Sequence, residues 1–205
     1  MNQNKYLRDL QDIKDIMSRS SRFISLSGLS GIFAGLFALG GAYAAYQTVY
    51  SGQDYLNHRY AVITRESLMT LLIIALVTLA LSIGAGIFFT SRETRKQNEK
   101  VWDHQTRRLL INLAIPLVTG GIVCLILLLK GFVGIIAPLT LIFYGLALVN
   151  ASKYTLNEVR SLGIIEIVLG LISLQFIGYG LLVWAIGFGV MHIVYGTMMQ
   201  LKYKS

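Results

Sequence analysis

One cysteine, two prolines, three histidines and ten acidic residues are all that this 205-residue chain holds of those types. The lone cysteine, Cys124, excludes a disulfide framework and a cysteine metal site, and it reads as small apolar filler within an apolar run. Charged residues make up only 14% and apolar ones 55%, with a mean hydropathy of +0.63. That balance excludes the one or two soluble domains this length would otherwise allow. The histidines and carboxylates form no cluster with ligand spacing. The glycines lie within apolar stretches, not between a strand and a helix, which excludes a phosphate-binding loop. No Ser/His/Asp set can be proposed without assuming the fold. The expectation is a non-enzymatic protein with no catalytic residue, metal or cofactor. A cleavable leader is not expected either. The first apolar run begins only at Phe23 and continues to about Val49, long enough to span a membrane and stay.

Six apolar runs are present, over about 23–46, 67–90, 109–129, 132–149, 163–177 and 181–200. A hydrocarbon layer about 30 Å thick needs roughly 20 apolar residues of helix. Six such helices use most of the chain. The fold expected is therefore all-α: a polytopic membrane domain over 23–200, preceded by a tail over 1–22 and followed by a short tail over 201–205. Of the 18 Lys and Arg, only Arg59, Arg65 and Lys130 fall in the first, third and fifth connections, which leaves fifteen on the other side. The positive-inside rule then places both termini in the cytoplasm. The net charge of +8 reads as this topology signal, so the expected partner is the lipid bilayer and not nucleic acid.

The tail over 1–22 reads as an amphipathic helix, with Tyr6, Leu10, Ile13 and Met17 in one stripe. Lys5/Asp9, Arg8/Asp12 and Asp15/Arg19 are four apart and can pair on its polar face. It is expected to dock on the cytoplasmic ends of the bundle. The inner connection over 91–108 is dense in charge and has no Gly or Pro, so it should extend the second span, the third, or both. This connection and the N-terminal helix are the places where a cytoplasmic partner would bind. The outer connection over 47–66 carries Tyr50, Tyr55 and Tyr60, read as interface anchors.

A repeat runs through the spans. Gly121 and Gly170 are 49 residues apart and Gly145 and Gly196 are 51 apart; Gly121 and Gly145 flank the tight turn at Lys130-Gly131, and Gly170 and Gly196 flank that at Gly178-Tyr179-Gly180. Gly31, Gly35, Gly84 and Gly86 echo it more faintly. The pattern predicts three Gly-rich helical hairpins of one orientation. Inside a bilayer helices associate largely through small residues that let backbones approach. Gly31, Gly35, Gly121, Gly145, Gly170, Gly189 and Gly196 are therefore the expected packing positions. Gly31-x-x-x-Gly35 suits a seam within the chain, with a homo-oligomer face as the alternative. Pro116 and Pro138 fall inside spans and should kink them.

Glu166 is the single acidic residue well inside a span, and His192 the single histidine there. An ionisable group at that depth costs roughly 2.5 kcal/mol or more and is a functional candidate by default. Glu166 lies 13 residues before Tyr179 and His192 lies 13 after it, so both sit about 20 Å below the outer turn at 1.5 Å per residue. Gly163, Glu166, Gly170 and Ser173 share one helix face; Ala185, Gly189, His192 and Gly196 share another. If those small-residue faces pack together, the acid and the histidine meet, either as a hydrogen-bonded clasp or as a proton-linked or ligand site. Asn112 and Asn150 lie 19 residues either side of Gly131 and read as helix-end hydrogen bonding. Tyr144 and Tyr195 take matching places in the two hairpins and should reach toward these polar groups.

The three Gly-rich hairpins around Gly35, Gly121, Gly145, Gly170 and Gly196 resemble the small six-helix membrane proteins of the HdeD type, over residues 23 to 200. The resemblance implies a bacterial inner-membrane protein with a role in envelope or pH-stress adaptation. It transfers no functional residue. A small proton-linked transporter or channel is the alternative.

Overall fold

Hydrocarbon offers the backbone no hydrogen-bond partners, so an apolar chain closes its bonds internally as helix. The computed structural model describes residues 27–50, 65–96 and 102–203. These form α1 (Gly28–Tyr50), α2 (Arg65–Lys96), α3 (His104–Leu129), α4 (Ile136–Ala151) and α5 (Asn157–Gln175). The last span comes in three pieces: α6 (Gly180–Trp184), a π-helical segment (Ala185–Met191) and α7 (His192–Tyr203). The expected N-terminal helix over 1–22, Tyr55 and Tyr60 lie outside the described residues. Tyr50 is the last residue of α1.

Among the described residues, five stretches are long and apolar enough to cross a membrane: Gly28–Val49, Arg65–Lys96, His104–Leu129, Val133–Tyr154 and Ile177–Tyr203. The exception is α5, which carries Glu158, Arg160 and Glu166 within 19 residues. Ile73, Leu76, Val77 and Phe88 on α2, and Ile115, Val118, Ile122 and Leu125 on α3, are all exposed. An apolar surface of that extent is out of place in water and suits lipid. The interior is the reverse. Its buried residues include Ala38, Ala42, Ala45, Ala147 and Ala151 beside polar Glu166, Ser173 and His192. The architecture is that of a polytopic helical membrane protein.

Two glycine seams organise the centre. An added methyl group on Gly35 would stand 2.6 Å from Gly189 O, and one on Gly196 would stand 2.6 Å from Ile32 N. On Gly31 it would stand 3.1 Å from Gly196 Cα. So α1 lies against the chain's own last span through the Gly31-x-x-x-Gly35 face. In the second seam, a methyl group on Gly145 would stand 2.5 Å from Gly163 O, one on Gly163 2.7 Å from Gly145 O, and one on Gly170 2.9 Å from Pro138 O. That brings α4 and α5 into backbone contact. The outer helices attach to these pairs. Phe89 of α2 stacks on Phe33 of α1 at 4.8 Å, and Phe143 of α4 fills the space beside Gly120 of α3.

Three expectations need correcting. Gly121 is not a packing residue: it is exposed, with open space where a methyl group would stand, and Gly120 makes the contact instead. One residue turns a helix by about 100°, so neighbouring glycines face different surroundings. The glycines of the α5 stripe do not pack on those of the last span, although Glu166 and His192 do meet. Gly163 and Gly170 pack on α4, while Gly189 and Gly196 pack on α1. Pro138 is the third residue of α4 and not an interior kink. In a first turn the missing N–H had no partner to lose.

Helix ends follow their local chemistry. Asp103 caps α3, its Oδ1 accepting from Thr106 N at 2.6 Å and Thr106 Oγ1 at 2.7 Å. At the other end Phe132 N donates to Leu127 O and Gly131 N to Leu128 O, with Gly131 at φ +85°. This is a Schellman stop, which needs the left-handed conformation at Gly131. Gly131→Val should therefore lower stability by about 1–2 kcal/mol, read as a fall in the thermal unfolding midpoint in detergent.

Candidate functional site

Glu166 projects from the middle of α5 and is wholly buried. Its neighbour across the seam is Gly187 in the π segment. A methyl group there would collide with Glu166 Oε2 and stand 2.6 Å from Leu141 Cδ2. Glycine thus makes the room in which the carboxyl group sits. His192 begins α7, and its Nδ1 lies 3.5 Å from Glu166 Oε1. The same Nδ1 is 3.1 Å from Gly187 O. On the far side of the ring, Nε2 lies 2.7 Å from the Tyr144 hydroxyl of α4.

These partners fix the proton positions. A carbonyl only accepts, so Nδ1 carries the hydrogen and donates to Gly187 O. Nε2 is then the free lone pair and accepts from the Tyr144 O–H. That tautomer is inferred from the bonding pattern. It describes a neutral imidazole bonded at both nitrogens. The carboxyl group is different: neither Glu166 oxygen makes a hydrogen bond, and nor does the buried Ser173 Oγ two turns farther along α5. A carboxylate is a stronger acceptor than a neutral carbonyl. The Nδ1–H on the carbonyl, with the acid oxygen 3.5 Å off, fits an uncharged Glu166.

Aromatic rings cover one flank of the site. Phe188 packs on Tyr144 and on Trp184, with ring centroids 4.9 Å apart in each case. Tyr144 and His192 centroids are 5.3 Å apart. The site therefore joins three elements, α4, α5 and the last span, around one buried acid.

The structure brings together Glu166, His192 and Tyr144. Tyr144 does not reach toward the asparagines as expected, and the half-buried Tyr195 does not join the cluster. Asn150 Nδ2 donates to Asn112 O at 2.9 Å, tying α4 to α3, while Asn112 Nδ2 donates to Arg108 O at 2.8 Å. Sequence reasoning missed Gly187 and the direct bond to Tyr144. A signal existed for the second: Tyr144 is 13 residues past Gly131, the same count that placed Glu166 and His192 at one depth.

A second polar contact closes the bundle at one end. Lys202 Nζ donates to Glu158 Oε1 at 2.6 Å, and the Tyr203 hydroxyl lies 3.1 Å from both carboxylate oxygens. The bond from Lys202 is the main cause that holds the Glu158 carboxyl below its usual range. A lowered pKa means the folded state binds the proton more weakly than the unfolded state. The contribution is therefore present above the usual carboxylate pKa of about 4.3 and is lost as pH falls through the folded value. Glu158→Gln should lower the unfolding midpoint modestly at neutral pH and match the parent chain at the acid end of a pH series.

Among the described residues, no group of three or more His, Cys, Asp or Glu is placed to hold a metal ion. No family model, curated protein or solved structure matches this chain.

Proposed function

We propose that this chain is a non-enzymatic membrane protein in which Glu166, His192 and Tyr144 form a proton-responsive clasp. Its role in this reading is adaptation to envelope or pH stress in a bacterial inner membrane. The basic residues favour an orientation with both termini in the cytoplasm, and the spans are read as three hairpins of one orientation. The carrying observation is the wholly buried Glu166, whose two oxygens lack donors although an imidazole stands 3.5 Å away. An acid kept in such a place is expensive to retain, and intramembrane acids mark proton or ligand chemistry. Its partner is the side chain that titrates nearest neutral pH. Close packing of Gly187 and Leu141 against the carboxyl group favours sensing over conduction, because an ion path needs space beside it.

The test is a pH series on the chain in liposomes loaded with a pH-sensitive dye. The parent chain should show a pH-dependent unfolding midpoint without proton flux, and Glu166→Gln should flatten the dependence. A proton flux that disappears in Glu166→Gln would instead establish a small proton-linked transporter or channel. A midpoint with the same pH dependence in both chains would refute the clasp.

A further inference from the structure

We infer that the π segment Ala185–Met191 is a register switch, held wide while Glu166 is protonated and closed to α-helix when it is not. The inference rests on the proton-responsive reading and names the part that moves. π turns are rare and are found mostly as short insertions, often at functional sites. This one runs for seven residues and is flanked by α-helix on both sides. Its geometry is tied to the site at Gly187. There the imidazole Nδ1–H bonds the carbonyl oxygen at 3.1 Å, and the Glu166 carboxyl group occupies the space that a side chain would fill.

The Nδ1–H therefore has two possible acceptors, Gly187 O at 3.1 Å and Glu166 Oε1 at 3.5 Å. With a neutral acid it stays on the carbonyl. When Glu166 releases its proton to water, the carboxylate becomes the stronger acceptor and draws the Nδ1–H across. Gly187 O is then open to the Met191 N–H four residues on, the α-helical partner. Closing the segment removes one residue of register. It turns the outer piece, α6, by about 100° and shifts it by about 1.5 Å. Space for the turn exists. A groove of about 320 Å³ lies between α1 and α6, lined by Leu39, Ala42, Tyr43, Tyr46, Leu181 and Leu182.

Other titratable groups around the switch are few. Tyr144 faces it from α4 and bonds the ring at Nε2. α1 has no charged residue over Gly28–Tyr50, and its Tyr43 and Tyr46 line the groove near Ala185. α6 carries none. Glu166 is the single carboxyl group at the π segment among the described residues.

The experiment uses the full chain in lipid nanodiscs with Cys124→Ala. Spin labels are placed at Leu182→Cys on α6 and at Ile172→Cys on α5, both exposed positions. The inter-label distance is measured from acid to alkaline pH, and the infrared carboxyl band of Glu166 is followed in the same samples. Raising the pH should shift the distance by on the order of 5 Å, the displacement of a side chain on a helix turned by about 100°. Glu166→Gln should keep the acid distance throughout. Deleting Val190 should fix the alkaline distance at every pH. A carboxyl band that titrates while the distance stays constant would overturn the switch and leave the proton-responsive reading standing. A band that does not titrate would remove both. A parent-like shift in Glu166→Gln would also overturn the switch.

Discussion

Replacing Gly196 by Val is expected to separate α1 from the last span and to lower stability by about 3 kcal/mol, the upper part of the usual range for overpacking. The atoms that a Cβ would meet are Ile32 N at 2.6 Å, Gly28 O at 2.7 Å and Gly31 C at 3.0 Å. All three belong to the backbone, so no rotamer change can relieve the contact. The helices must move apart along the seam. Gly35, Gly189 and their neighbours would lose contact with it, and the packing that holds helices together in lipid would be lost over several turns. The control lies on the other helix of the seam, α1. Gly40 is exposed, with open space where a Cβ would stand. Gly40→Ala should raise stability by about 0.5–1 kcal/mol, because alanine loses less backbone freedom in a helix. Unfolding midpoints of both variants in one detergent decide the matter. Equal behaviour at the two positions would mean that α1 does not lie against the last span.

The second large effect has the opposite sign. Glu166→Met should stabilise the protein by about 1–3 kcal/mol, since a buried ionisable group is often outperformed by an apolar residue of similar length. Both carboxyl oxygens lack hydrogen bonds, so methionine forfeits no bond that the acid makes. His192→Ala should do the reverse and cost about 3 kcal/mol or more. It strands the Tyr144 hydroxyl in the interior, an orphan that costs about 1–3 kcal/mol, and it removes the ring against which Tyr144 and Phe188 pack. The pair thus separates two roles. Those two outcomes together would make the histidine structurally necessary and the acid a residue retained against stability, as residues kept for function often are. A Glu166→Met chain less stable than the parent would make the acid a structural residue after all.

The spans were readable because hydropathy and turn chemistry act locally. The stop at Gly131 and the cap at Asp103 depend on residues within one helical turn of each other. The depth of the site was also readable, because counting from two tight turns needs only the rise of a helix. Helix partners were not. The stripe Gly163/Gly170 shows that a face approaches some backbone, and nothing within α5 says that α4 supplies it. The π segment was hidden for the same reason. Its width depends on Glu166, Leu141 and Leu39 arriving from three other helices beside Gly187 and Gly189. Gly121 was misread where one residue of phase decides between lipid and Phe143.

The three charges on α5 bear on where that helix can sit. Glu158, Arg160 and Glu166 leave that helix short of the apolar character its neighbours have. Glu158 and Arg160 stand in the first turn, at the helix end; Glu166 alone stands at the centre, where a charge adds roughly 2.5–3.5 kcal/mol to the cost of lipid contact. Contact with its neighbours takes that exposure away. α4 precedes it across a short 3₁₀ turn at Ser152–Tyr154 and meets it backbone to backbone at Gly145 and Gly163. The glycines that make the two helices fit thus also set the central acid among protein neighbours instead of lipid.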